Sequence, residues 1–129
     1  MGQQQLLLIV LGVIIVGIAI YGGIRLMDAY NQGNDRDMLI HQMHAIVSDA
    51  KQYAFKPNYL GGGDGSLAGY QPPRSMSTTD RFRIYVGSTS GSVTLTGYGT
   101  VIGEDRQSPV EVLLTYTSSD GQVTSVVIN

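Results

Sequence analysis

The chain has 129 residues, 43% hydrophobic and 14% charged, with 17 glycines, no cysteine and a formal net charge of −2. That length holds one domain with an appended element and excludes a multidomain enzyme. The charge leaves no electrostatic case for nucleic acid as a partner, which needs a basic patch, and the lack of cysteine excludes disulfides and thiolate metal sites.

None of the 8 Lys and Arg or 10 Asp and Glu residues falls before Arg25. Residues 6–24 read LLLIVLGVIIVGIAIYGGI, and a helix of that length rises roughly 28 Å, enough to cross a bilayer core. A cleaved secretory signal is the rival assignment, with Gly17-Ile18-Ala19 as its cleavage site. It fits less well, because Met1-Gly2-Gln3-Gln4-Gln5 lacks a basic side chain and the apolar run exceeds the usual length of about 7 to 15 residues. The segment is therefore expected to be retained. Arg25 and Arg36 alternate with Asp28, Asp35 and Asp37, so the positive-inside rule does not set an orientation.

From Arg25 the pattern becomes amphipathic. Ile24, Met27, Leu39, Met43, Ile46, Ala50 and Tyr53 recur at helical spacing as one stripe, and no proline interrupts the chain before Pro57. One long helix over about residues 3–55 is predicted, with its weakest stretches at Gly17–Gly23 and at residues 31–35, where a kink or break is expected and Asp35 offers a fresh N-cap. Pro57 ends the helix. Gly61–Gly65 and Gln71-Pro72-Pro73 make a loop, with the glycine run expected to be a flexible connection.

Four alternating segments follow, at residues 82–86, 92–102, 110–117 and 122–128. Ser119-Asp120-Gly121 signals a two-residue hairpin, Ser88–Gly91 a second turn and residues 103–109 a longer connection, while Gly97 and Gly99 mark a bend or bulge. The fold class is α+β: a long N-terminal helix packed on a four-stranded antiparallel β-meander. Its parts are an apolar stem (1–24), an amphipathic helix (25–56), a Gly/Pro-rich loop (57–80) and a sheet domain (81–129).

An apolar N-terminal segment continuing into an amphipathic helix that packs on a C-terminal antiparallel sheet resembles a type IV pilin or pseudopilin. The likeness covers residues 1 to about 55 in pattern and the sheet in architecture. With Met1 on the first mature residue, Gln5 falls where pilins carry a glutamate, residues 17–23 cover the stretch that unwinds in assembled pili, and Gly22 replaces a helix proline. The family's basic leader does not precede Met1, which implies a mature chain or different processing. The family's C-terminal disulfide has no counterpart.

The resemblance implies an assembly core of Leu6, Leu7, Leu8, Ile9, Val10, Leu11, Val13, Ile14, Ile15, Val16, Ile18 and Ile20. It also implies a polar contact of Gln5 with a neighbour's terminal amine, and helix melting or close approach at Gly17, Gly22 and Gly23. Gln5 is neutral and can bond that amine without neutralising it, so the amine is expected to be solvated, capped or off the apolar axis. Partners implied are copies of the chain in a helical homopolymer, inner-membrane lipid before assembly, and pilus assembly machinery. The implied location is an extracellular filament on the cell surface with an inner-membrane precursor pool.

The physical case runs parallel. Burying the apolar side chains of residues 6–21 at roughly 1 to 2 kcal/mol each yields some tens of kcal/mol, in lipid or in a helical bundle. Identical chains stacked helically make non-closing contacts and hence fibres, and Ala19 and Gly23 form a small-xxx-small pair for close helix approach. Two alternatives stand beside the filament: a monomeric binding domain anchored by one transmembrane helix, and a minor pseudopilin of a secretion system.

Other groupings have blander readings. Asp37, His41 and His44 share a helical face, but no second motif supplies ligands, so a solvated face is expected and no metal or other cofactor is assigned. Gly61–Gly65 lacks the lysine and the strand-to-helix setting of a phosphate loop. Asp64, Glu104 and Asp105 match no calcium-loop spacing. Tyr21, Tyr30 and Tyr53 are expected to pack against neighbours. No grouping of Ser, His and Asp supports catalysis, so no enzyme activity is assigned.

Overall fold

The computed structural model describes residues 2–129. Its elements run in the order α1 (Gly2–Phe55), a 3-10 turn (Asn58–Leu60), α2 (Arg74–Ser77), β1 (Arg83–Ser88), β2 (Ser92–Ile102), β3 (Pro109–Thr117) and β4 (Val123–Val127). The four strands form one antiparallel sheet in chain order, so the α+β meander expected from the alternating segments is present. The chain divides into two compact units, Met1–Asn31 and Gln32–Asn129.

α1 is one uninterrupted helix through both stretches where a break was expected. Each glycine costs about 1 kcal/mol against alanine but removes no backbone donor, and with no proline before Pro57 every i to i−4 bond can form. Within the second unit, residues 32–36 are also fastened to the sheet. Gln32 Nε2 donates to the Ile102 carbonyl at 3.0 Å, and Arg36 pairs with Glu104 at 3.1 Å. Asp35 is not an N-cap. Its buried carboxylate accepts the backbone N–H groups of Thr100 and Val101 at 3.2 and 3.0 Å.

That bond answers an irregularity in the sheet. Pairing of β2 with β3 is regular from Ser92↔Thr117 to Tyr98↔Glu111 and then shifts before Ile102↔Pro109. The shift falls beside Gly99, as the glycine placement suggested. A bulge leaves backbone donors without ladder partners, and Asp35 Oδ2 takes two of them. Only glycine fits beside it, since a Cβ at position 99 would lie 2.8 Å from that oxygen.

The core lies between the sheet and the last third of α1. Leu39, Met43, Ile46, Val47 and Ala50 pack against Ile84, Val93, Leu95, Val110, Val112, Leu114 and Tyr116. Strand alternation places these residues on one sheet face. Gly97 sits beneath the helix, where a Cβ would meet Met43 and Leu39. The apolar stripe does not extend to Ile24 and Met27, which are exposed.

The glycine run is a helix cap rather than a flexible connection. Gly63 donates to the Tyr53 carbonyl at 2.9 Å, Asp64 to Lys56 at 2.9 Å and Gly65 to Ala54 at 2.7 Å, so the loop satisfies carbonyls that the end of α1 leaves open. Beyond the cap, Leu67 and Tyr70 enter the core. The Tyr70 hydroxyl donates to Asp49 Oδ2 at 2.7 Å, and burial, reinforced by that carboxylate, pushes its pKa well above the ordinary tyrosine value. The β3–β4 turn is also longer than two residues. Thr117 N–H bonds the Gln122 carbonyl at 3.1 Å across Ser118–Gly121, and only Gly121 of that loop has a positive φ, whereas the expected tight turn needs two. In the β2–β3 connection Asp105 accepts from Ser108 Oγ and from the Gln107 and Ser108 N–H groups. These bonds, that of the Ser108 hydroxyl foremost, hold its carboxyl far below the usual range.

Asp35→Ala should lower unfolding stability by about 2 to 3 kcal/mol, because it strands two N–H groups inside the sheet. Asp35→Asn, which keeps one acceptor oxygen, should lose roughly half as much in the same denaturant titration.

Candidate assembly surface

Residues 6–24 lie wholly on α1, and every one is exposed. The twelve residues expected to form an assembly core have relative exposures from 47% at Leu11 to 68% at Leu7 and Val13, whereas Leu39, Met43 and Ile46 on the same helix are at 0%. Apolar side chains surround the segment on all sides. A helix apolar all round belongs inside a bilayer or a larger assembly, and among the described residues α1 is the one helix long and apolar enough to cross a membrane.

The segment ends in a polar clamp. Arg25 donates to the Tyr21 hydroxyl through Nη2 at 2.6 Å and Nε at 3.1 Å, and its guanidinium carbon lies 5.2 Å from the centre of that ring. The first charge after the apolar run is thus held by an aromatic residue one turn back, a combination suited to the boundary between an apolar medium and water.

Gln5 is exposed at the other end of the run. The terminal amine it was expected to meet lies outside the described residues. Gly17, Gly22 and Gly23 are helical, with nothing within 4 Å of an added Cβ. No contact within the chain requires glycine at these positions, unlike Gly97 and Gly99. Tyr21 and Tyr30 are exposed, whereas Tyr53 meets Tyr70 with ring centres 5.5 Å apart.

The remaining candidates stay apart. Asp37, His41 and His44 are exposed along α1, and no group of three potential metal ligands occurs among the described residues. Glu104 pairs with Arg36 and Asp105 bonds its own loop. One surface was missed: the sheet face opposite α1 presents Tyr85 and Tyr98, with ring centres 5.8 Å apart and planes at 74°. Its sequence signal was the alternation of Arg83, Tyr85 and of Thr96, Tyr98 with buried neighbours.

Comparison with models of protein families, with curated proteins and with solved structures finds no match to this chain.

Every buried apolar side chain among the described residues lies at or beyond Leu39. A chain starting at Gln32 should therefore remain folded, monomeric and soluble in water without detergent, with a cooperative thermal transition, whereas the full chain requires detergent or assembly.

Proposed function

We propose that the chain is a structural subunit that polymerises into an extracellular filament resembling a type IV pilus, with residues 6–24 packed against those of other copies. The observation that carries this reading is the contrast along a single helix. Leu39, Met43, Ile46, Val47 and Ala50 of α1 are covered by the chain's own sheet, while the apolar residues 6–24 have no internal cover. Shielding the latter gains tens of kcal/mol by order of magnitude, which makes an isolated chain in water unstable against association.

Lipid and a bundle of like helices meet that demand equally, so the same segment serves an inner-membrane precursor and an assembled filament, with assembly machinery moving it from one to the other. The glycines favour the bundle as an end state. Lipid gains nothing from a missing side chain, whereas close helix approach does, and Gly17, Gly22 and Gly23 have no role within the chain. Gln5 supplies a neutral hydrogen-bonding group at the start of the stem, where it reaches a neighbour's backbone or amine without burying a charge.

Electron microscopy of sheared cell-surface material tests the reading. Long, regular fibres composed mainly of this chain are expected, and Leu11→Arg should abolish them, since it places a charge in an apolar core at a cost of several kcal/mol per subunit. Fibres that persist with Leu11→Arg contradict the proposal. Recovery of the chain only as detergent-dependent single molecules favours a domain anchored by one transmembrane helix, and recovery as a trace component of another assembly favours a minor pseudopilin.

A further inference from the structure

The sheet face turned away from α1 carries an open groove of about 870 Å³ between β1, β2 and the segment leading into β1. Its sides include Thr78, Asp80, Arg83, Tyr85, Tyr98 and Thr100. Strand alternation creates it. Ile84 and Gly97 point to the core, so Arg83, Tyr85 and Tyr98 project outward. Register places Arg83 beside Tyr98 and Tyr98 beside Glu111. The charge of Glu111, foremost, raises the Tyr98 hydroxyl above its ordinary pKa.

Three features define what would fit. Tyr85 is 60% exposed and meets Tyr98 edge to face, which presents apolar ring surface beside polar hydroxyl tips. Asp80 and Arg83 are unpaired, since the one ion pair among the described residues joins Arg36 and Glu104; they offer acceptor oxygens and a planar fork of donors to a ligand. The backbone between β1 and β2 is already committed to the sheet ladder, so recognition falls to side chains.

These features discriminate among ligand classes. A peptide strand pairs with backbone at a sheet edge, and beside the groove the outer side of the edge strand β1 is already taken at Arg83 by a bridge to Thr78. An anion would meet the carboxylate of Asp80 in the same groove as Arg83. A wholly apolar ligand would strip water from two charged groups, Asp80 and Arg83, without replacing their hydrogen bonds. A pyranose ring has an apolar C–H face and a rim of hydroxyls that both donate and accept, matching ring surface flanked by a carboxylate and a guanidinium.

We propose that this groove is a binding site for a neutral pyranoside, its C–H face on the exposed ring of Tyr85, with Tyr98 beside it, and its hydroxyls held by Asp80 and Arg83. The site uses only residues of the second compact unit and stands whether or not the chain forms filaments.

The full chain, held in micelles of a zwitterionic detergent free of sugar headgroups, is applied to an array of neutral and sialylated oligosaccharides. Lactose and maltotriose are then titrated by saturation-transfer NMR. Saturable binding of a neutral oligosaccharide is expected, with transfer strongest to pyranose ring protons. Tyr85→Ala should weaken it at least about tenfold, because an aromatic anchor supplies much of the affinity of a small site. Arg83→Gln should weaken it several-fold, and neither change should move the melting temperature. No retention of any neutral oligosaccharide, preference for the sialylated series, or equal affinity in Tyr85→Ala would overturn the assignment. So would a finding that Tyr85→Ala blocks self-association while leaving sugar binding unchanged, which would make the groove a contact between copies.

Discussion

The structure turns on the absence of any internal partner for residues 6–24. A protein of this size ordinarily folds its apolar residues into one core, and this chain does so for those from Leu39 onward. Residues 6–24 are left on a continuous helix with nothing of their own chain to cover them. On the proposed reading, lipid or the helices of other copies complete their burial.

The part of the helix from Gln32 onward is firmly held by its own chain. Asp35 takes two strand donors at the bulge of β2, Arg36 and Gln32 reach Glu104 and Ile102, and the glycine loop closes the carbonyls at Phe55's end of the helix. Between these two fastenings lies the apolar contact of Leu39 to Ala50 with the sheet. The polar bonds sit at the ends because hydrophobic contact is not directional. Specific donor–acceptor pairs there fix which residues of the helix face which strand.

Much of this was legible from the order of residues, and the misses have physical causes. The charge-free run, the spacing of Leu39, Met43, Ile46 and Ala50, and the alternation in residues 92–102 and 110–117 expose helix, core face and sheet directly, because burial imposes period 3.6 or period 2. The role of Asp35 was not legible. An aspartate after Asn31-Gln32-Gly33-Asn34 has the local look of a helix start, and only pairing across the chain with Thr100 and Val101 reveals an acceptor. The glycines at 61–65 carry the same composition whether mobile or folded back as a cap, and the difference lies in bonds to Tyr53, Ala54 and Lys56. For the stem, a sequence can show that residues 6–24 avoid water, but lipid and a bundle of like helices select the same side chains.

Deciding between those two environments is the most direct test of the account. The chain has no cysteine, so a single Val13→Cys carries a spin label at one defined point in the stem. In native surface material the account predicts strong dipolar broadening between labels on different copies. That broadening should fade as unlabelled chain is mixed in, and relaxation by lipid-dissolved oxygen should be negligible. Narrow, isolated spectra with efficient relaxation by oxygen in lipid would contradict it, because the stem would then be shielded by membrane alone.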